Sequence, residues 1–158
     1  HDACRALWVA LTEHHRRLYR DPTIGGETPG AGFDAWWTGR DRVAAWVAER
    51  GGEVVGMTGL LVPPGGDEGE VEPVVVRPDH RGAGVGTRLV AHAVAEARRR
   101  GLRFANVRPV GRNREAIRFF ADRGFDVLGR VELSMPLGEE GGGGFDETID
   151  VEGTRLRR

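Results

Sequence analysis

Apolar positions along this chain switch between a helical and a strand period, and the switches divide it into short elements. Leu7, Leu11, His14 and Leu18 fall on one stripe of residues 3–20, the spacing of an amphipathic helix. Residues 21–32 carry Pro22, Gly25, Gly26, Pro29, Gly30 and Gly32 and read as a loop, with a short second helix expected over 33–38. Residues 42–49 and 53–61 are strand candidates joined across Gly51-Gly52, a hairpin signal. A third strand is expected in "EVEPVVVRP"; Pro73 within it has no N–H to give a ladder, so a bulge or a locally unpaired edge should lie there. Leu89, Val90, Ala93, Val94 and Ala97 mark a helix over 86–100, closed by arginines and by Gly101 just past its end. Residues 104–109 read as a strand and 113–123 as a helix, with Asn113 as its N-cap and Gly124 as its stop. The last strands are expected at 125–127 and 131–137. "GEEGGGG" is a flexible linker by composition, and "FDETIDVEGTRLRR" receives no element.

Composition narrows the chemistry. A chain of 158 residues suits one domain with an ordinary core. No signal-peptide pattern and no apolar run of the roughly 20 residues a membrane span needs are present, so no membrane partner is expected. The net charge of −1 gives no reason to expect a nucleic acid. The single cysteine, Cys4, excludes a disulfide framework and suits a reducing, cytoplasmic setting. All 23 basic residues are arginine, which excludes a P-loop lysine and Schiff-base chemistry. Ser134 is the only serine and lacks a G-x-S-x-G setting. The five histidines show neither H-E-x-x-H nor a zinc-ligand spacing, so no metal is expected. Chemistry must come from carboxylates, backbone amides, arginine, or a co-substrate with its own reactive group.

The stretch "RPDHRGAGVGTRLV" sets Gly82, Gly84 and Gly86 between a strand and a helix. Glycines there allow positive φ and can aim amides at a phosphate, although a tight strand-to-helix turn also accounts for them. The dinucleotide fingerprint fails, because Thr87 or Leu89 stands where its last glycine belongs. A different pattern fits: "VVVRPDHRGAGVGTRLV" resembles the acyl-CoA-binding segment of the GNAT N-acetyltransferases, [RQ]-x-x-G-x-[GA], on Arg81, Gly84 and Gly86. The family's second block resembles "NREAIRFFADRGF", from Asn113 to Phe125, at the usual separation. The resemblance covers about residues 42–137 and, loosely, the first helix. The family's first strand and an initiator methionine are both missing, so a trimmed N-terminus is expected.

The resemblance implies an α/β fold: a mixed, mostly antiparallel sheet of about 6–7 strands, flanked by helices and splayed at the acyl-CoA site. Residues 1–137 would form that single domain and 138–158 a linker and tail. The pyrophosphate of acetyl-CoA would lie over Arg81, Gly82, Ala83, Gly84, Val85, Gly86 and Thr87, at the positive end of the following helix. The pantetheine would run like an extra strand beside Val74, Val75 and Val76. Arg81 would add charge near the phosphates, or be a solvated loop residue. Asn113 could reach the cofactor, or serve only as an N-cap.

An alkylamine near pKa ~10 is protonated at neutral pH, so acylation needs a base. Strand alternation is expected to put Glu70, Glu72, Val74 and Val76 on one face. Glu72, just before the bulge, matches the glutamate that several relatives carry as base; the alternative is an acidic rim with Asp67, Glu68 and Glu70 that attracts a cationic amine. Phe120 stands where many relatives have a tyrosine that protonates the departing thiolate, and should line the thioester without donating. Trp36, Trp37 and Trp46 either line the acceptor pocket or fill the core, with core expected for two of the three. The expected activity is acetyl transfer from acetyl-CoA to a small-molecule or peptide amine, with a homodimer as one allowed assembly. The alternatives are a degenerate acyl-CoA-binding regulatory domain and an interaction module that uses the fold as scaffold.

Overall fold

The computed structural model describes residues 1–135, 137, 145 and 147–157. The expected linker over 138–144 lies outside the described residues. Residues 1–12 with 25–108 form one compact unit, and residues 13–24 with 109–158 form a second.

The first unit is built on a four-stranded sheet in the order β1-β2-β3-β4. β1 (Arg42–Arg50) and β2 (Glu53–Leu61) are antiparallel and turn through Gly51 and Gly52, at φ 60° and 81°. Positive φ at both positions is the turn whose twist matches a hairpin, and glycine adopts it without steric cost. β3 (Glu68–Val76) runs antiparallel to β2, and β4 (Phe104–Asn106) runs parallel to β3. α1 (Asp2–Tyr19) begins in this unit and α2 (Gly30–Thr38) follows in it; Cys4, Leu7 and Phe33 are buried with Met57 and Val75. α3 (Val85–Arg99) covers the other face, packing Val85 and Leu89 on Val55. Its apolar stripe is the one the helical spacing predicts, with Leu89, Val90, Ala93 and Ala97 all buried. Gly101, at φ 70°, takes the left-handed position that ends the helix.

In the second unit α4 (Arg114–Ala121) is capped as expected: the Asn113 side chain accepts from the Ala116 amide at 3.0 Å. The Arg112 guanidinium lies 5.8 Å from the Tyr19 ring, which packs on Phe145. The tail holds an antiparallel hairpin, β5 (Thr148–Val151) and β6 (Thr154–Arg157).

Two expectations are corrected. The strands placed at 125–127 and 131–137 are absent among the described residues. Val127, Leu128, Leu133 and Met135 are 69–80% exposed, so no partner covers them and alternation alone does not make a strand. The described sheet therefore has four strands, with two more in the tail hairpin, against the six or seven expected. The strand at 104 also stops early, at Asn106.

Candidate active site

β4 stays beside β3 only from Glu68 to Glu70, which pair with Phe104 to Asn106. From Val71 to Val76 the other edge of β3 has no strand against it among the described residues. Such an edge presents unpaired amides and carbonyls to any extended ligand. The expected bulge is also there. Thr58 pairs with Val74 and Leu60 with Val71, so Glu72 and Pro73 together face the single residue Gly59.

The bulge overturns one expectation, that Glu70, Glu72, Val74 and Val76 share a face. Val76 packs with Val55, Val85 and Leu89 on the α3 side, whereas Val75 joins Met57 and Phe33 on the α1/α2 side. Before the bulge the order is reversed. Val71 pairs with Leu60, on the α3 side by alternation with Gly56, whose missing Cβ would meet Leu89; Glu70 and Glu72 therefore point to the α2 side. One extra residue changes the parity of everything beyond it.

The glycine loop follows β3 directly. Arg77 bonds both Glu53, at 2.7 Å, and Asp79, at 2.8 Å, anchoring the loop's entry to the start of β2. The bond from Arg77, with a second from His80, holds the Asp79 carboxyl down at about 2. Gly82 and Gly84 adopt φ 74° and 75°, and Gly84 is the N-cap of α3 with no side-chain cap. A Cβ at Gly82 would meet no protein atom within 4 Å, and one at Gly84 would meet only the Arg88 guanidinium, at 3.5 Å. Exposed backbone amides at the positive end of a fifteen-residue helix suit an anion. The Arg81 Nε donates to the Val76 carbonyl at 3.2 Å, which ties the loop back to the end of β3.

The acidic side chains of β3 are not equivalent. Glu68 accepts from Arg103 at 3.2 Å and from Asn106 at 3.1 Å, and Glu70 is paired with Arg108. Glu72 has no such pair among the described residues. Burial pushes its carboxyl above the usual glutamate range, repulsion from Glu70 adds to this, and Arg108 pulls it partly back. Arg108 was not singled out from sequence. Its signal is a matched spacing of two, Asn106 at the end of β4 and Arg108 two residues past it, against Glu68 and Glu70 on the parallel neighbour.

Trp36 and Trp46 pack against the core clusters and Trp37 is 38% exposed, matching the expectation of two core tryptophans. In the second unit Phe120 is buried, edge-on to Phe119 and Phe125.

A family model described as the acetyltransferase (GNAT) family matches residues 8–125. The chain belongs to the GNAT acetyltransferase family. Solved structures of similar fold include the ribosomal-protein-S18-alanine N-acetyltransferase from Escherichia coli, at 22% identity over 60% of this chain and 59% of that one (TM-score 0.52). This chain thus spans little more than half of that enzyme. A mutant protein from Bacillus halodurans matches at 14% identity over 87% and 93% (TM-score 0.71). AAC(6')-Iy, in complex with the bisubstrate analogue CoA-S-monomethyl-acetylneamine, matches at 19% identity over 85% and 90% (TM-score 0.59). These likenesses bear on the fold. No curated protein matches the sequence. The co-substrate of GNAT acetyltransferases is acetyl-CoA, and the open β3 edge and the open amide loop fit its extended pantetheine and its phosphates. Among the described residues no group of three metal-ligating side chains occurs and no helix is long and apolar enough to cross a membrane.

Proposed function

We propose that this GNAT-family chain is an acetyl-CoA-dependent N-acetyltransferase that passes acetyl directly to an amine, with Glu72 as the base. The observation that carries the reading is the parting of β4 from β3 at Glu70, which opens the edge from Val71 to Val76 immediately before the glycine loop. Val74, Val75 and Val76 would pair with the pantetheine, and the amides from Gly82 to Thr87 would hold the phosphates with Arg81 beside them; the Arg81 amide itself is given to the Pro78 carbonyl at 3.2 Å. Asn113 and Phe120 are assigned to the cofactor by family resemblance alone.

Among the described residues Glu72 is the one carboxylate of its row without an ion pair, and its raised pKa brings it closer to the range where a general base works at neutral pH. It takes a proton from the ammonium. The freed nitrogen attacks the acyl carbon and the C–N bond forms, the now cationic nitrogen releases its second proton to solvent, the C–S bond breaks, and CoA leaves as a thiolate that solvent protonates. A thiol of pKa near ~8.5 leaves without a dedicated acid, so Phe120 is compatible with turnover. The acetyltransferase domain under this reading is residues 1–137, in the cytoplasm, with a small-molecule or peptide amine as acceptor.

Phe120 also favours a second reading, a domain that binds acyl-CoA and regulates a partner without turnover. Thiol release from acetyl-CoA, across a panel of peptide N-termini, polyamines, aminoglycosides and small amino acids, separates the two. Amine-dependent release supports the enzyme, and binding without release supports the regulator.

A further inference from the structure

Opposite the β3 bulge sits a residue with no side chain, and two groups crowd the space it leaves. A Cβ at Gly59 would stand 2.4 Å from Trp36 Cζ2 and 2.8 Å from the Glu72 carbonyl oxygen. Gly59 is not among the positive-φ glycines, so its backbone would suit any residue and only space demands glycine there. The indole is held from other sides as well. Trp36 lies 5.8 Å from Phe33 and 6.0 Å from Trp8, ring to ring, with the Arg42 guanidinium 5.2 Å from its centroid. Arg42 is itself fixed, donating to the Trp37 carbonyl at 2.7 Å. A rigid aromatic edge thus rests on the sheet where the bulge carries Glu72.

We propose that Trp36 and Gly59 are positioning residues for Glu72: the indole edge, seated in the space Gly59 leaves, holds the β3 bulge and with it the Glu72 carboxyl. The catalytic consequence rests on Glu72 being the base; the positioning itself does not. The charges bearing on Glu72 are Glu70 on its own strand and Arg108 beyond β4. On α2 the one titratable side chain, Asp34, is paired with Arg5 at 3.1 Å, and on β1 Arg42 is stacked on the Trp36 indole. Burial is the main cause of the raised Glu72 pKa, so loosening the seat should lower it.

The test is a carboxyl NMR titration of ¹³C-glutamate-labelled protein, with the Glu72 signal assigned through Glu72→Gln. It is run on wild type, Gly59→Ala, Trp36→Phe and the double variant, beside pH profiles of kcat and KM. Each single variant should move the Glu72 pKa toward the ordinary ~4.3. Each should lower kcat by about 10- to 100-fold, the usual effect of a small misplacement, with KM for acetyl-CoA unchanged. In the double variant the alanine methyl fills the room the shorter ring gives up, so both quantities should return toward wild type. An unchanged Glu72 titration in the folded single variants, or a double variant no better than Gly59→Ala, overturns the proposal. If Gly59→Ala does not fold, the Trp36→Phe titration decides. If the Glu72 pKa moves as stated while Glu72→Gln keeps wild-type activity, the positioning stands and the base assignment falls.

Discussion

At the residue scale the proposed chemistry rests on Glu72, and Glu72→Gln isolates it. The amide keeps shape and hydrogen bonding but cannot take the ammonium proton. We expect kcat/KM to fall by ~10²-fold or more near neutral pH, with acetyl-CoA affinity nearly unchanged and activity recovering as the pH rises. A wild-type kcat that keeps its acidic limb would remove the assignment. If Glu72 is only part of an acidic rim, the loss should instead fall on KM for cationic acceptors and shrink with salt. The same residue makes a stability prediction. Its folded pKa is raised, so its contribution is full below the unfolded pKa of ~4.3 and is lost as pH rises through the folded value. Thermal unfolding should therefore show Glu72→Gln gaining on wild type as pH climbs through that window; parallel curves would mean an unperturbed carboxyl. Phe120→Tyr tests the missing acid. It should fold, since the site is aromatic and buried, and should raise kcat by no more than about 10²-fold, given how well a thiolate leaves. A larger gain would mean thiolate departure limits the wild-type rate.

At the scale of elements, the loop from Arg81 to Gly84 and the start of α3 form the proposed anion site. Gly84→Val puts a β-branched residue at φ 75°, where L side chains are strained, and adds bulk where the backbone should meet phosphate. Calorimetry on the folded variant should show acetyl-CoA affinity severely reduced; undiminished affinity would remove the phosphate assignment. This element was readable from sequence because glycine spacing, helix stripe and strand end coincide in one short stretch. The bulge was readable too, since Pro73 has no N–H. Its effect on facing was not. Pro73 marks where a ladder is interrupted but not which strand gains the extra residue, and that residue sends Val74 and Val76 to the opposite side from Glu72. Gly59 and Arg108 escaped for a related reason: each matters through a neighbour on another strand, and a cross-strand pairing is invisible until register is known.

At the scale of the molecule, hairpin, β3, glycine loop and α3 follow from local pattern, whereas the segment over 125–135 does not, because its apolar alternation finds no partner strand among the described residues. The arrangement in the first unit makes one claim that a single measurement reaches. With saturating acetyl-CoA and the best amine of a panel, free CoA and acetylated amine can be counted together by mass spectrometry. CoA should appear only with amine present, matched one-for-one by an amide on that amine. Acetyl-CoA that binds but releases no CoA with any amine, or CoA release without acetylated product, would contradict it.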